Sequence, residues 1–162
     1  MDEKKSAAEN YAKFYEYCRA NVDKFLAEHG GSFRGLTAET FKKYGLGIHP
    51  EFGVDGAEKC PHLIIPYDDY HFFARAIEGN ARSQHGQGAG LYEPLPISTD
   101  YPNFIVESEI DSLSAVQEMG SLEISFVATG GATKFKKVVA ELEKRFANVA
   151  KKPSFIVDRK ST

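Results

Sequence analysis

Cysteine is scarce in this chain: Cys18 and Cys60 are the only two in 162 residues. They stand 42 positions apart, so they form neither a CxxC knuckle nor a disulfide framework. Zinc is not expected, and a reducing, cytoplasmic setting is the simplest one. Long apolar runs are missing too. The longest are three or four residues, as in Leu63-Ile64-Ile65 and Phe104-Ile105-Val106, against the roughly 18 that a membrane helix needs. No apolar segment follows the opening Met1-Asp2-Glu3-Lys4-Lys5, so no secretory signal is read there. A surplus of one charge is also lacking: 20 Lys and Arg against 23 Asp and Glu leave −3. That balance excludes nucleic-acid binding through bulk positive charge and leaves a local basic patch as the route. What is there, 42% hydrophobic side chains, suits one globular domain or two small lobes. A chain of this size buries about 70% of its unfolded surface, so a stapled mini-protein is excluded.

The pattern changes character along the chain. Tyr11, Phe14, Tyr15, Cys18, Val22, Phe25 and Leu26 fall on one helical face that Gly30-Gly31 ends. A second, shorter helix is signalled by Thr37 as N-cap, with Leu36 and Phe41 as its staple and Gly45 as its stop. Residues 50–61 read as turns. Next, 62–66 and 71–77 read as antiparallel strands joined by Tyr67-Asp68-Asp69-Tyr70. Residues 79–90, with four glycines and little that is apolar, read as a mobile loop. The last third alternates strands at 104–107, 124–128 and 155–158 with helices at 112–119 and 133–148. Strands separated by helical stretches imply right-handed crossovers and a mostly parallel sheet.

In open α/β sheets ligands gather at the carboxyl ends of strands. Two of the three predicted strands end in acids, Glu107 and Asp158, which converge if the strands are neighbours. Asp111 follows Glu107 by about one helical turn, with Glu109 a less certain member. Such a cluster offers hard oxygens suited to Mg²⁺ or Mn²⁺. A plainer reading stands beside this one: Asp111 or Ser112 caps the following helix, and Glu107 is solvated beyond its strand. Arg75 alternates with apolar neighbours, and Arg82 sits in the glycine-rich stretch. Each is either a phosphate contact or an ordinary solvated arginine. Gly130-Gly131 before a helix either offers N–H groups to an anion or only turns the chain. Lys134, Lys136, Lys137, Lys144, Arg145, Lys151 and Lys152 read as the wet face of an amphipathic helix, and the five histidines show no ligand spacing.

The stretch from Phe104 to Gly120, an apolar strand ending in Glu107 with Asp111 four residues on, resembles the first motif of the TOPRIM domain. That domain belongs to bacterial DnaG-type primases and the primases of phages and mobile elements. The segment 127–133, Val-Ala-Thr-Gly-Gly-Ala-Thr, resembles the family's next strand and turn. Residues 34–47 are similar to the helical segment of the primase core, and 63–67 with 73–77 resemble the small β subdomain before TOPRIM. The likeness covers about residues 10–158 in family order.

The resemblance implies an α/β fold in three parts: an N-terminal helical segment (1–50), a small antiparallel β subdomain (51–98), and a TOPRIM-like mostly parallel sheet with flanking helices (99–162), incomplete at its end. It implies template-directed synthesis of RNA primers for DNA replication. Glu107 would be the catalytic acid and Asp111 its support, with Glu107, Asp111 and Asp158 holding Mg²⁺ (or Mn²⁺). Arg75 and Arg82 would contact template or nucleotide phosphates. The partners implied are a single-stranded DNA template, nucleoside triphosphates and a replicative helicase domain; no membrane is involved. One departure matters. Lys160 stands where the family has its second metal-binding aspartate, and an ammonium there repels a cation. The expectation is therefore a weak or inactive enzyme, the motif being cut short or degenerate. The alternatives are a non-catalytic nucleic-acid- or nucleotide-binding TOPRIM module and a metal-dependent TOPRIM nuclease.

Overall fold

A computed structural model describes residues 2–54, 56–86, 90–122 and 124–157. The chain is mixed α/β and divides into two compact units, 1–88 and 89–162. Among the described residues no helix is long and apolar enough to cross a membrane.

The first unit opens with α1 (Asp2–Ala20) and α2 (Val22–Glu28). The single helical face expected through Leu26 is thus broken at Asn21, for a tertiary reason. The Asn21 amide donates to Tyr17 O (3.0 Å) and Ile48 O (3.2 Å), and its main-chain N–H closes a tighter turn onto Cys18 O. A two-residue hairpin, β1 (Ser32–Phe33) and β2 (Leu36–Thr37), follows. The cap of α3 (Ala38–Lys43) is the expected one: Thr37 Oγ1 accepts from Thr40 N at 3.2 Å, and Leu36 and Phe41 are fully buried. Both α2 and α3 stop in Schellman turns, with Gly31 N–H donating to Leu26 O (2.7 Å) and Leu46 N–H to Phe41 O (2.9 Å). The left-handed residues that permit this are Gly30 (φ 74°) and Gly45 (φ 66°).

A four-stranded antiparallel sheet completes the unit, in the order β3 (Gly47–Phe52), β4 (Cys60–Asp68), β5 (His71–Ala76), β6 (Arg82–Gly86). Two corrections follow. Residues 82–86 are not a mobile loop but pair with β5 from His71↔Gly86 to Arg75↔Arg82, and residues 50–52 belong to β3 rather than to a turn. The helical segment and this sheet share one core. Tyr15 and Cys18 of α1 pack on Ile64, Phe72 and Ala74, with Tyr11, Phe14 and Phe52 at the margin. The approach is so close at β3 that a Cβ on Gly47 would overlap Cys18 Cβ.

The second unit holds a parallel sheet in the order β8 (Ser125–Ala128), β7 (Asn103–Val106), β9 (Phe155–Val157). Helices α4 (Glu109–Met119) and α5 (Phe135–Arg145) are the connections, and 3₁₀ turns lie at Gly120–Leu122 and Ala132–Lys134. Side chains alternate across a strand. Ile105 and Val127 accordingly share one face with Val138 and Leu142 of α5, whereas Phe104 and Phe126 stack on the other, 4.9 Å apart. α4 packs mainly on β8, where its fully buried Ser112 donates its hydroxyl to Phe126 O. Tyr92 exchanges two 2.9 Å main-chain bonds with Ala128 along β8.

Asn103 anchors the amino end of this sheet. It is 0% exposed. Its Oδ1 accepts from Ser98 N (2.8 Å), and its Nδ2 donates to Ser98 O (2.8 Å), Ser154 O (3.0 Å) and Tyr101 O (3.4 Å). One amide thus ties β7 to both the segment before it and the segment entering β9.

Two outcomes are expected in denaturant unfolding followed by circular dichroism. Gly47→Ala forces α1 off β3 and lowers stability by about 1–3 kcal/mol. Asn103→Ala leaves buried carbonyls and an N–H without partners and costs about 2–3 kcal/mol. Wild-type midpoints in either variant would refute the corresponding contact.

Candidate functional site at the carboxyl edge of the parallel sheet

From β7 the chain passes through α4 to β8 on one side, then through α5 to β9 on the other. The direction of winding reverses between β7 and β9, the place in such a sheet where ligands gather at the carboxyl edge. Glu107 is the first residue beyond β7 and is exposed. β9 runs parallel beside β7 with Val157 opposite Ile105. Asp158, next in sequence, and Lys160 lie outside the described residues.

The turn out of β7 is organised by a residue that the sequence reading passed over. Ser108, and neither Asp111 nor Ser112, is the N-cap of α4: its Oγ accepts from Asp111 N at 3.1 Å and its carbonyl from Ser112 N at 3.1 Å. The signal was present as Ser108-x-x-Asp111, the spacing of a capping box. Asp111 therefore stands in the first turn of α4 with its side chain exposed, where an acid complements the helix dipole. Glu109 is 3% exposed and belongs to the packing of α4. Glu107 and Asp111 are thus two exposed carboxylates one turn apart. Among the described residues no three of His, Cys, Asp and Glu come together to hold a metal ion.

Facing the end of β7 is the turn after β8. Thr129 N–H donates to Val106 O (3.0 Å), and its hydroxyl lies 3.1 Å from Gly131 O and 3.5 Å from Glu107 O. Gly130 (φ 73°) and Gly131 (φ 140°) carry the chain back toward α5 through backbone that side chains disfavour. Tight turning explains these glycines. One N–H of the turn is already used, Lys134 N donating to Gly131 O at 3.1 Å.

The basic residues of α5 and after it divide. Arg145 forms a fork with Glu93 (2.7 and 3.1 Å), and that hydrogen bond pushes its pKa up; Lys151 pairs with Asp100 at 2.7 Å. Lys136 and Lys137 are exposed, in keeping with a wet helix face. On the far side of α5 a groove of about 390 Å³ lies among Val139, Leu142, Phe146, Pro153, Phe155 and Val157. Its walls are mainly apolar.

In the first unit Arg75 and Arg82 are opposed across β5 and β6, so both side chains leave the same face. Arg75 is half-buried and Arg82 exposed. The strand carrying Arg75 is largely covered: Phe72, Phe73, Ala74 and Ala76 are all buried.

Ser108→Ala is expected to lower the stability of the second unit by about 1 kcal/mol, and Ser108→Asp to restore most of it. Thermal unfolding checks both; equal stability of wild type and alanine variant would remove Ser108 from the cap.

No protein-family model, no curated protein and no solved structure matches this chain.

Proposed function

We propose that this chain carries a primase-like function of the TOPRIM type, a nucleotidyl transfer on a single-stranded DNA template with nucleoside triphosphates as substrates. The observation that supports it most is the parallel pairing of β7 with β9. The strand that leads, at Val106, into Glu107 lies beside the strand that leads, at Val157, into Asp158. The direction of winding reverses at the same edge, and the exposed Glu107 and Asp111 stand there free of the sheet's packing.

Two exposed carboxylates at one edge fit Mg²⁺ or Mn²⁺, which take one or two such ligands and fill the rest with water and substrate phosphate. Glu107 and Asp111, with Asp158, would hold it. Bound there, the ion would lower the pKa of an attacking hydroxyl and offset charge on the phosphate. Glu107, outermost and solvent-exposed, is suited to accept the hydroxyl proton. Asp111 is kept at the edge by the Ser108 cap, which fixes its main-chain N–H. Arg75 and Arg82, leaving one face of adjacent strands, are suited to phosphate oxygens of template or nucleotide.

A second reading, a non-catalytic module that binds nucleotide or nucleic acid with the same edge, is favoured by Lys160. Its ammonium stands where the resemblance calls for a second metal-binding carboxylate.

The test joins metal titration with primer synthesis. Under Mn²⁺ the amide signals of Glu107, Asp111 and Asp158 are expected to broaden and those of α5 to remain, and Glu107→Gln should abolish the effect. Primer synthesis on single-stranded DNA that Glu107→Gln reduces by about 10²-fold or more would support the transferase. Broadening without synthesis selects the binding module. No broadening at these residues overturns both.

A further inference from the structure

Three of the five histidines, unremarkable in sequence, meet around a single aromatic ring in the first unit. Against Phe52 the ring centroids of His49, His62 and His85 lie at 5.6, 5.2 and 5.1 Å, each edge-on. They come from β3, β4 and β6, so one cluster ties both edge strands of the sheet to an inner strand. The same rings reach the seam under α1. His49 stacks on Phe14 at 5.6 Å and lies 5.3 Å from Tyr17, while His85 stacks on Phe72 at 4.9 Å. Phe14 and Phe72 are in turn stacked 4.8 Å apart.

One hydrogen bond specifies a neutral ring. Glu51 N–H donates to His49 Nδ1 (3.2 Å), so that nitrogen must keep its lone pair. Cys60 O can only accept, so His62 Nδ1 carries the proton it gives at 2.8 Å. His85 Nε2 shares a 2.6 Å bond with Ser83 Oγ. A proton on His49 Nδ1 would destroy the bond from Glu51. A proton on His49 or His85 would place charge beside Phe52, where apolar surroundings solvate it poorly.

We propose that His49 and His85, gathered with His62 around Phe52, form an acid-sensitive latch, holding α1 on the antiparallel sheet while those two rings are neutral and releasing it when they take up protons.

The surrounding charges agree with this. Burial holds the pKa of His49 down first of all, followed by His62; Glu51 pulls it up, and by more than Lys59, on the approach to β4, pushes it down. Burial also dominates at His85, with His62 and His71 adding to it. On α1 Tyr15 and Cys18 stay neutral throughout. Burial pushes the Tyr15 hydroxyl up, helped by Asp68, Tyr11, Asp69 and Cys18, and pushes the Cys18 thiol up to about 12, against a small opposing effect of Arg19. A histidine held below its ordinary pKa binds fewer protons folded than unfolded. The stability it confers is complete above the ordinary value of about 6.5 and is lost as pH falls through the lower folded values.

Hydrogen exchange on the full chain between pH 7.5 and 5 tests the latch. After correction for the intrinsic pH dependence of exchange, the opening constant of α1 should rise by up to about tenfold per pH unit for each proton taken up. Amides of α4 and α5 should keep their protection, and a His49→Phe/His85→Phe variant should keep α1 protected down to pH 5. Unchanged α1 protection in the wild type, or loss from α1, α4 and α5 together, overturns the proposal. Should the double variant fail to fold, imidazole NMR titration of the wild type decides: midpoints below 6.5 for His49 and His85, coincident with α1 opening, support the latch, and midpoints at or above 6.5 refute it.

Discussion

The arrangement of the second unit rests on a single primary amide. Asn103 is buried without exposure, yet its oxygen and nitrogen bond four main-chain atoms of three residues in two segments: Ser98 and Tyr101 before β7, and Ser154 before β9. A buried amide is tolerable only when its capacity is spent, and once spent it fixes geometry as an apolar residue cannot. Here it sets the start of β7 and brings Ser154, just ahead of Phe155, to the same point. The strand pairing seen at the opposite, carboxyl edge, with Ile105 beside Val157, follows from that anchor through a few residues of sheet. Glu107 thus owes its place beside β9 to a polar group at the other end of its strand.

The first unit solves the same problem mainly by contact, with only Tyr15, whose hydroxyl donates to Asp68 O and His71 O, and Asn21, which donates to Ile48 O, adding side-chain hydrogen bonds from the first helical stretch to the sheet among the described residues. α1 lies directly on β3, with Cys18 over Gly47, and an aromatic seam running from Tyr11 through Phe14 and Phe72 fills the rest. Stacked rings of this kind contribute mainly through buried area, with a smaller share from their relative orientation. Mixing imidazoles among the phenyl rings keeps the packing shape but makes it conditional on protonation state. Where the second unit holds its register by satisfied polar groups, the first holds its helix by a surface whose polarity varies with acidity.

How far the chain could be read in advance follows the same division. β7, β8, β9, α4 and α5 were legible because apolar triplets and helical spacing are local signals, carried even by β9, which is only partly buried. β3 and β6 were not. His49-Pro50-Glu51 and Arg82-Ser83-Gln84-His85 carry no alternation, and they are the two edges of their sheet, where proline and polar residues are tolerated and pairing is dictated by the neighbouring strand. The break at Asn21 depends on Ile48 O, 27 residues distant, and is invisible locally. At the candidate site Glu107 and Asp111 were found from strand-end and helix-turn logic. Ser108 was not, although its spacing to Asp111 marks a cap, because Asp111 and Ser112 are cap-forming residues too and leave the start of α4 ambiguous by residue type alone. The gathering of His49, His62 and His85 has no sequence period at all; it exists only once strands from three places are laid side by side.

The glycines of the first unit differ in kind. At Gly45 a side chain would meet nothing within 4 Å, and only the left-handed backbone resists it; at Gly47 the backbone is ordinary and the neighbouring helix leaves no room. Mutational drift should treat them accordingly. Asparagine, at ease in left-handed turns, is an acceptable descendant at the first position. At the second no side chain fits even if Cys18 shrinks, because the backbone of Cys18 and Arg19 crowds the same space, so the glycine is fixed for as long as the helix keeps its seat.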